Sequence, residues 1–398
     1  TYEIAAREMA ADESLLVQSN WRAPEPVAGE FRETVRLIGP DGLLWSPKTA
    51  VSPRWYREPT PTNTWTRDQY ADSQLLIEPI PGTPPGLYTI QMLLFDEETL
   101  IPVPLTTGET AIDLGTVQVT RPKEAATSTG SVGVLEPQYP LNQNWNSVTL
   151  SGVSLDREAA APGDPFLLSL YWQVDEAPLA DADVQLSLIN EQGEAVFTRD
   201  LPPVRADFPT SQWQAGDAWL GQHAFRLPVA LASGDYVWTL KWRLAEALAQ
   251  DVVLGRLAIT APERLFTPPA VDVETDAQLG ELATLLGVNL TIEPDTLQTT
   301  LVWQAAAEPP ISYRVFVHLI DEDGQIVAQS DGEPAAWTRP TTGWLPGEII
   351  LDTHTLSLAN LPSGSYQLAI GLYDPYTGNR LTLANGETAV IIPELTLP

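Results

Sequence analysis

A chain of 398 residues is longer than one hydrophobic core usually supports, so about two to four domains are expected. Apolar residues at 43% against 18% charged exclude a disordered chain, and 36 prolines and 26 glycines without a Gly-x-y period exclude collagen and long helices. Acidic residues outnumber basic ones 52 to 21, a formal charge of −31 that repels nucleic acid and anionic membrane faces, and the lack of cysteine excludes disulfides, thiolate nucleophiles and cysteine-bound metals.

Along the chain, one set of landmarks occurs three times. Trp21 (in LLVQSNW), Trp172 (in LLSLYW) and Trp303 (in TTLVW) each end a strand-like segment, 151 and 131 residues apart. A turn glycine lies 21 residues after each of them: Gly42, Gly193 and Gly324. Next comes a Pro-Thr pair before a second tryptophan: Pro61-Thr62 before Trp65, Pro209-Thr210 before Trp213, Pro340-Thr341 before Trp344. A Gly-x-Tyr then opens another strand, at Gly86/Tyr88, Gly234/Tyr236 and Gly364/Tyr366. A unit of this size holds about seven to nine strands. Tyr313–Leu319 and Tyr366–Leu372 alternate between two faces, as half-buried strands do. The leucines of Asp276–Leu286 suit a short helix, but a turn leading into a strand through Gly287 is the favoured reading.

The fold expected is therefore all-β: three tandem immunoglobulin/fibronectin-like β-sandwiches, with jelly-roll sandwiches as the alternative. The Thr-, Ser- and Pro-containing stretch Thr120–Gly133 and the three prolines of Ala261–Ala270 mark linkers, which sets domains at 1–124, 125–263 and 264–398. Leu135–Trp145 reads as an edge segment opening the second domain. Thr1 is not a natural start residue, so a processed or trimmed N-terminus is expected, with any export signal or membrane anchor outside this sequence.

Motifs for chemistry are sparse. Three histidines, His223, His318 and His354, are too few for most catalytic arrays, and no HExxH, P-loop, nucleophile elbow or dinucleotide glycine pattern occurs. No catalytic residue, metal site or cofactor is expected, and the chain reads as a non-enzyme. A pair of carboxylates in one cleft, the equipment of a glycosidase, stays as a lesser alternative. Asp321-Glu322-Asp323-Gly324 has the look of a calcium loop without its remaining ligands, so a hairpin turn is the better reading.

Aromatic residues are the chief chemical resource, with 13 tryptophans. Those that recur with the repeat read first as scaffold. Trp55 with Tyr56, Trp219 and Trp337 fall in expected loops, where they form either packing under a loop or flat faces on which sugar rings stack. The long segment Ser330–Trp344 mixes carboxylates with Arg339, Trp337 and Trp344, and is the first place to look for a ligand. The candidate ligand residues are Trp337, Trp344, Trp219, Trp55, Tyr56 and Arg339.

Leu319–Gln325, Pro340–Glu348 and Leu361–Asp374 together resemble the extracellular β-sandwich extensions that follow the membrane-embedded part of dolichyl-phosphate-mannose-type glycosyltransferases in Chloroflexota-like bacteria. The third copy matches best and the first least, since Arg67-Asp68 stands where the pattern has Pro-Gly. The resemblance implies an exported, non-catalytic ectodomain at the cell surface, with a glycan or a cell-surface protein as partner. It carries over no catalytic residue. A structural spacer or adhesion and assembly module with no small-molecule ligand is the alternative function.

Overall fold

The computed structural model describes residues 1–123, 135–245, 247–359 and 361–397. Its fold is all-β, and among the described residues the only helical elements are three 3-10 turns, Thr62–Thr64, Thr210–Gln212 and Thr341–Gly343. Internal packing divides the chain into two compact units. The first comprises Thr1–Glu158, Phe166–Phe225 and Asp235–Ala258, and the second Ala159–Pro165, Arg226–Gly234 and Ile259–Pro398.

The first unit opens with β1 (Tyr2–Ile4), β2 (Glu8–Ala10), β3 (Leu15–Ala23), β4 (Phe31–Ile38), β5 (Gln69–Ile77), β6 (Gly86–Asp96) and β7 (Ile112–Thr120). One sheet runs β1-β3-β5 and the other β2-β7-β6-β4. Leu15, Val17, Leu75 and Ile77 from the first meet Val35, Leu37, Tyr88 and Ile90 from the second in one core, which makes the pair a sandwich.

The next strands are β8 (Tyr139–Trp145), β9 (Val148–Leu155), β10 (Ala159–Ala160), β11 (Pro165–Val174), β12 (Ala182–Ile189), β13 (Ala195–Leu201), β14 (Ala218–Arg226), β15 (Gly234–Leu244), β16 (Ala247–Leu248) and β17 (Val252–Ile259). Apart from β10, whose residues fall in the second unit, they form sheets β14-β11-β9-β8 and β17-β15-β12-β13, with the short β16 paired to β15. Trp172 of β11 and Trp242 of β15 pack with ring centroids 5.4 Å apart, so this core too is built from both sheets.

The second unit carries β18 (Val273–Leu279), β19 (Ala283–Ile292), β20 (Thr296–Ala305), β21 (Arg314–Ile320), β22 (Ile326–Gly332), β23 (Ile349–Ser357), β24 (Gly364–Tyr373) and β25 (Val390–Leu397). Sheets β18-β19-β20-β23 and β22-β21-β24-β25 enclose Leu301, Trp303, Ile350, Val317 and Ile370. Strands that are consecutive in the chain change sheets at β20 to β21, β22 to β23 and β23 to β24, connections typical of immunoglobulin/fibronectin-like sandwiches. Asp276–Leu286 is strand, turn at Gly280 (φ +53°) and strand, with no helix.

The repeated landmarks are corners. Each Pro-Thr pair opens a 3-10 turn, and the indole of the tryptophan that ends it donates back to the carbonyl five residues earlier: Trp65 to Thr60 (2.8 Å), Trp213 to Phe208 (3.4 Å), Trp344 to Arg339 (2.9 Å). The threonine hydroxyl accepts the amide of Phe31, Ala182 or Tyr313 at 2.7–2.9 Å, tying the turn to the start of the neighbouring strand. Tyr88 and Tyr366 donate to Pro84 and Pro362, each at 2.7 Å, the tyrosine corner of this fold class. Gly324 (φ +77°) closes a hairpin whose Asp321 carboxylate accepts the amides of Asp323 (3.1 Å) and Gln325 (2.8 Å), so that carboxylate serves the turn. The expected linker Thr120–Gly133 falls mostly within residues 124–134, as does its 124/125 boundary, and these lie outside the described residues.

Candidate ligand cleft in the first sandwich

After their turn glycines, the second and third sandwiches continue into edge strands β13 and β22, which pair with β12 and β21. The first sandwich does not. There pairing beyond the turn stops at one bridge, Leu44 to Ile38 with the Trp45 amide donating to Leu37 O (2.8 Å), Trp45 is buried completely, and no edge strand extends beyond β4. The segment that follows bridges both sheets instead: the Ala50 amide donates to Thr34 Oγ1 of β4 (2.9 Å), and Val51 O accepts the Leu76 amide of β5 (2.8 Å).

A cleft of about 740 Å³ opens beside this segment, lined from β3, β4, β5, β6 and residues 49–62. Its apolar walls include Trp21, Phe31, Tyr56, Trp65 and Phe95, and its polar groups include Glu30, Arg32, Glu33, Glu58 and Ser73. Trp21 occupies the same place in the repeat as Trp172 and Trp303, which are fully buried, yet it is only partly buried and lines the cleft. Its indole donates to Glu33 Oε2 at 2.8 Å, and Ser19 Oγ donates to the same carboxylate at 2.8 Å. Glu30 shares a hydrogen bond with Glu97, which raises its pKa. Burial, with Asp72 close by, raises the Tyr56 phenol's pKa, so that group stays a neutral donor, aimed at Asp72 O (2.5 Å).

The six residues singled out from sequence do not form one site. Trp55 is 76% exposed next to the cleft-lining Tyr56, which is half-buried. Trp219 corrects the loop expectation: it lies within β14 and is buried, with Phe208 against it edge-on at 5.1 Å and Arg121 over its ring at 5.3 Å. Trp344 is another correction, because its corner hydrogen bond and core packing leave it no exposed face. Arg339 is taken up by the fully buried Glu348 carboxylate at 2.5 Å, which also holds Arg264, so it is not free for a ligand.

Trp337 is 56% exposed. Ala335, Ala336 and Trp337 have φ of +53°, +52° and +69°, a left-handed turn costing about 1–2 kcal/mol per residue. Its anchor was not foreseen. The Ala335 amide donates to Asp352 Oδ1 (2.7 Å), Asp352 Oδ2 lies 3.0 Å from His354 Nε2, and His354 Nδ1 lies 2.9 Å from Ser330 Oγ. Each ring nitrogen of His354 thus has a partner, the Asp352 carboxylate at Nε2 and the Ser330 hydroxyl, which can donate or accept, at Nδ1. Ser330 lies on β22 and Asp352 and His354 on β23, so the array ties one sheet to the other. Strand alternation was the available signal, since Asp352 and His354 share the inward face of β23 with Ile350 and Leu356.

Arginines that join segments distant in the chain were also invisible in the sequence. Arg205, 5% exposed, donates to Tyr88 Oη (2.7 Å) and Pro85 O (2.9 Å), and the Leu220 amide donates to Gly82 O (2.9 Å). Arg121 pairs with Asp217 and donates to Gln212 O. In the second unit, Arg264 likewise pairs with Glu348 and donates to Gly343 O. Asp217 and Glu348 each stand four residues after a corner tryptophan, and Gln212 and Gly343 each stand one before it.

No family model matches the chain, and no curated protein does. Similar solved structures include a two-domain fibronectin type-III segment of chicken tenascin, at 10% identity over 61% of this chain and 97% of that one, TM-score 0.19. The FN1-FN3 domains of chicken CNTN1 cover 99% of this chain at 10% identity over 97% of their own, TM-score 0.20. A marsupial T cell receptor covers 99% at 11% identity over 98% of its own, TM-score 0.19. Such scores carry nothing about function.

Proposed function

We propose that the chain is a non-catalytic binding module whose first sandwich takes a neutral carbohydrate in the cleft beside residues 49–62. What supports this reading most is Trp21, the one repeat tryptophan of its kind that lines a cleft, hydrogen-bonded to a carboxylate, where its two counterparts are buried. Aromatic walls offer faces for sugar C–H groups, and Glu33, Glu58 and Ser73 offer hydroxyl partners. Carboxylates in the cleft and a chain charge of −31 favour neutral sugars over uronates or sialylated ones. In this reading the module stands at the cell surface beside a membrane glycosyltransferase, a placement supported by the sequence resemblance alone.

The test is calorimetric titration with neutral oligosaccharides that score on a glycan array. Binding lost in Trp21→Ala and Tyr56→Ala but kept in Trp337→Ala supports the cleft. Silence across the array, or binding indifferent to Trp21 and Tyr56, refutes it. The second reading, a spacer or adhesion module, is favoured by the buried Arg205 contact inside the first unit, which suits a stiff scaffold.

A further inference from the structure

We propose that the third sandwich carries a separate site for a small oxyanion, a carboxylate or phosphate monoester, built from Arg314 and Arg380 beside Trp337. Among the described residues five arginines stack on aromatic rings: Arg22, Arg121, Arg205, Arg314 and Arg380. The first three also hold a carboxylate, Asp68, Asp217 and Asp207 respectively. Among the described residues, Arg314 and Arg380 are the two of these five that no ion pair takes up, in a chain where acids outnumber bases 52 to 21. They are neighbours. Arg314 of β21 pairs across the ladder with Tyr373 of β24, and Tyr373 bridges in turn to Arg380. Residues directly opposite in a sheet point the same way, and two strand spacings put these backbones about 10 Å apart, within the reach of two long side chains converging on one anion.

Both guanidiniums are pre-placed. Arg314 lies 4.9 Å from the centre of the Trp337 ring, and Arg380 lies 4.1 Å from that of Phe316. Stacking orients the planar fork without using its N–H donors, which stay available for bidentate bonds to an oxyanion. Asp331, opposite Phe316 in the ladder, faces His318 Nε2 at 3.3 Å. The left-handed turn that holds Trp337 out, with Tyr376 76% exposed in the following hairpin, sets aromatic surface beside the charges. The ligand is therefore an acid group attached to a ring. The overall charge argues for a small ligand, because at physiological salt a screening length of about 8 Å lets two nearby arginines dominate locally, whereas a polyanion would meet the whole acidic surface.

The experiment titrates the full chain with inorganic phosphate and with phenyl phosphate by calorimetry at low salt. Saturable binding should appear with both, tighter for phenyl phosphate. Arg314→Gln or Arg380→Gln should each weaken it about tenfold, the worth of one charge-assisted hydrogen bond. Trp337→Ala should remove the advantage of phenyl phosphate and leave inorganic phosphate unchanged. Arg380→Lys, which keeps the charge and loses the fork, should fall between wild type and Arg380→Gln. No saturable heat with either probe, or equal binding by the Arg314→Gln/Arg380→Gln double variant, overturns the proposal. Binding by this route is independent of the first-sandwich cleft, so Trp21→Ala should not alter it.

Discussion

Replacing Arg205 with alanine should loosen the first unit where residues 82–88 meet residues 205–222. The guanidinium is buried and donates to Tyr88 Oη (2.7 Å) and Pro85 O (2.9 Å) while stacking 5.0 Å from the Tyr88 ring. Two hydrogen bonds to a charged group are worth about 1.5–3 kcal/mol each, and a partly desolvated cation–π contact about 1–2 kcal/mol. Against that, removing the arginine ends the cost of burying a cation, and Asp207, half exposed, returns to water. Tyr88 also keeps its own bond to Pro84 O. A net loss of about 3 kcal/mol remains, which lowers hydrogen-exchange protection at the Leu220 amide roughly 100-fold, because that amide is bonded to Gly82 O. Amides between β21 and β24 should keep their wild-type rates. Unchanged exchange at Leu220 would refute the reasoning and reduce Arg205 to a bystander.

Burial holds the His223 imidazole down at about 4 from the usual 6.5, with Pro203 O as its hydrogen-bond partner (3.3 Å). The unfolded chain therefore takes up the proton first on acidification. Stability is full above about pH 6.5 and falls by about 3 kcal/mol by pH 4. His223→Gln should flatten this part of the stability-versus-pH curve, read as the difference between wild type and variant in paired thermal melts. Gly163 has φ of +84°, and a Cβ there would meet Thr342 O at 2.4 Å, so Gly163→Ala should cost about 2–4 kcal/mol and expose the 341–344 amides to exchange. Asp352→Ala strands the Ala335 amide and His354, and should cost about 3–5 kcal/mol. Asp352→Asn, which keeps an acceptor for Ala335, should cost far less, as measured by exchange at the Ala335 amide.

What could be read from the sequence was local. Spacing of Trp, Gly, Pro-Thr and Gly-x-Tyr captured the corners because each landmark acts within a few residues of itself: a 3-10 turn, a tyrosine bonded four residues back, a glycine at positive φ. Trp219 was misplaced because it follows Gly216-Asp217, which looks like a continuing loop, whereas β14 has already begun at Ala218. The cleft was hidden for a different reason. It arises from a missing edge strand: pairing with β4 ends at the Leu44 bridge, and how far it would continue depends on Trp45 finding room in the core. Arg205 and Tyr88 are 117 residues apart, and no local pattern announces such a contact.

The three corners also contain a comparison that separates local from long-range causes. Four residues after each corner tryptophan stands a side chain that accepts the amide next to that tryptophan: Gln69 from Thr66 (3.2 Å), Asp217 from Gln214 (2.7 Å), Glu348 from Leu345 (3.0 Å). A neutral glutamine does this as well as an acid, so closing the turn does not require charge. The two corners with a carboxylate are the two on which an arginine from the preceding linker sits, Arg121 on Asp217 and Arg264 on Glu348. Glu348 is fully buried, and a buried charge without a partner is costly, so the acid and its arginines make sense only together. In a chain with few basic residues, the acids at Asp217 and Glu348 are thus explained by the linker arginines, and Gln69 by the absence of one among the described contacts.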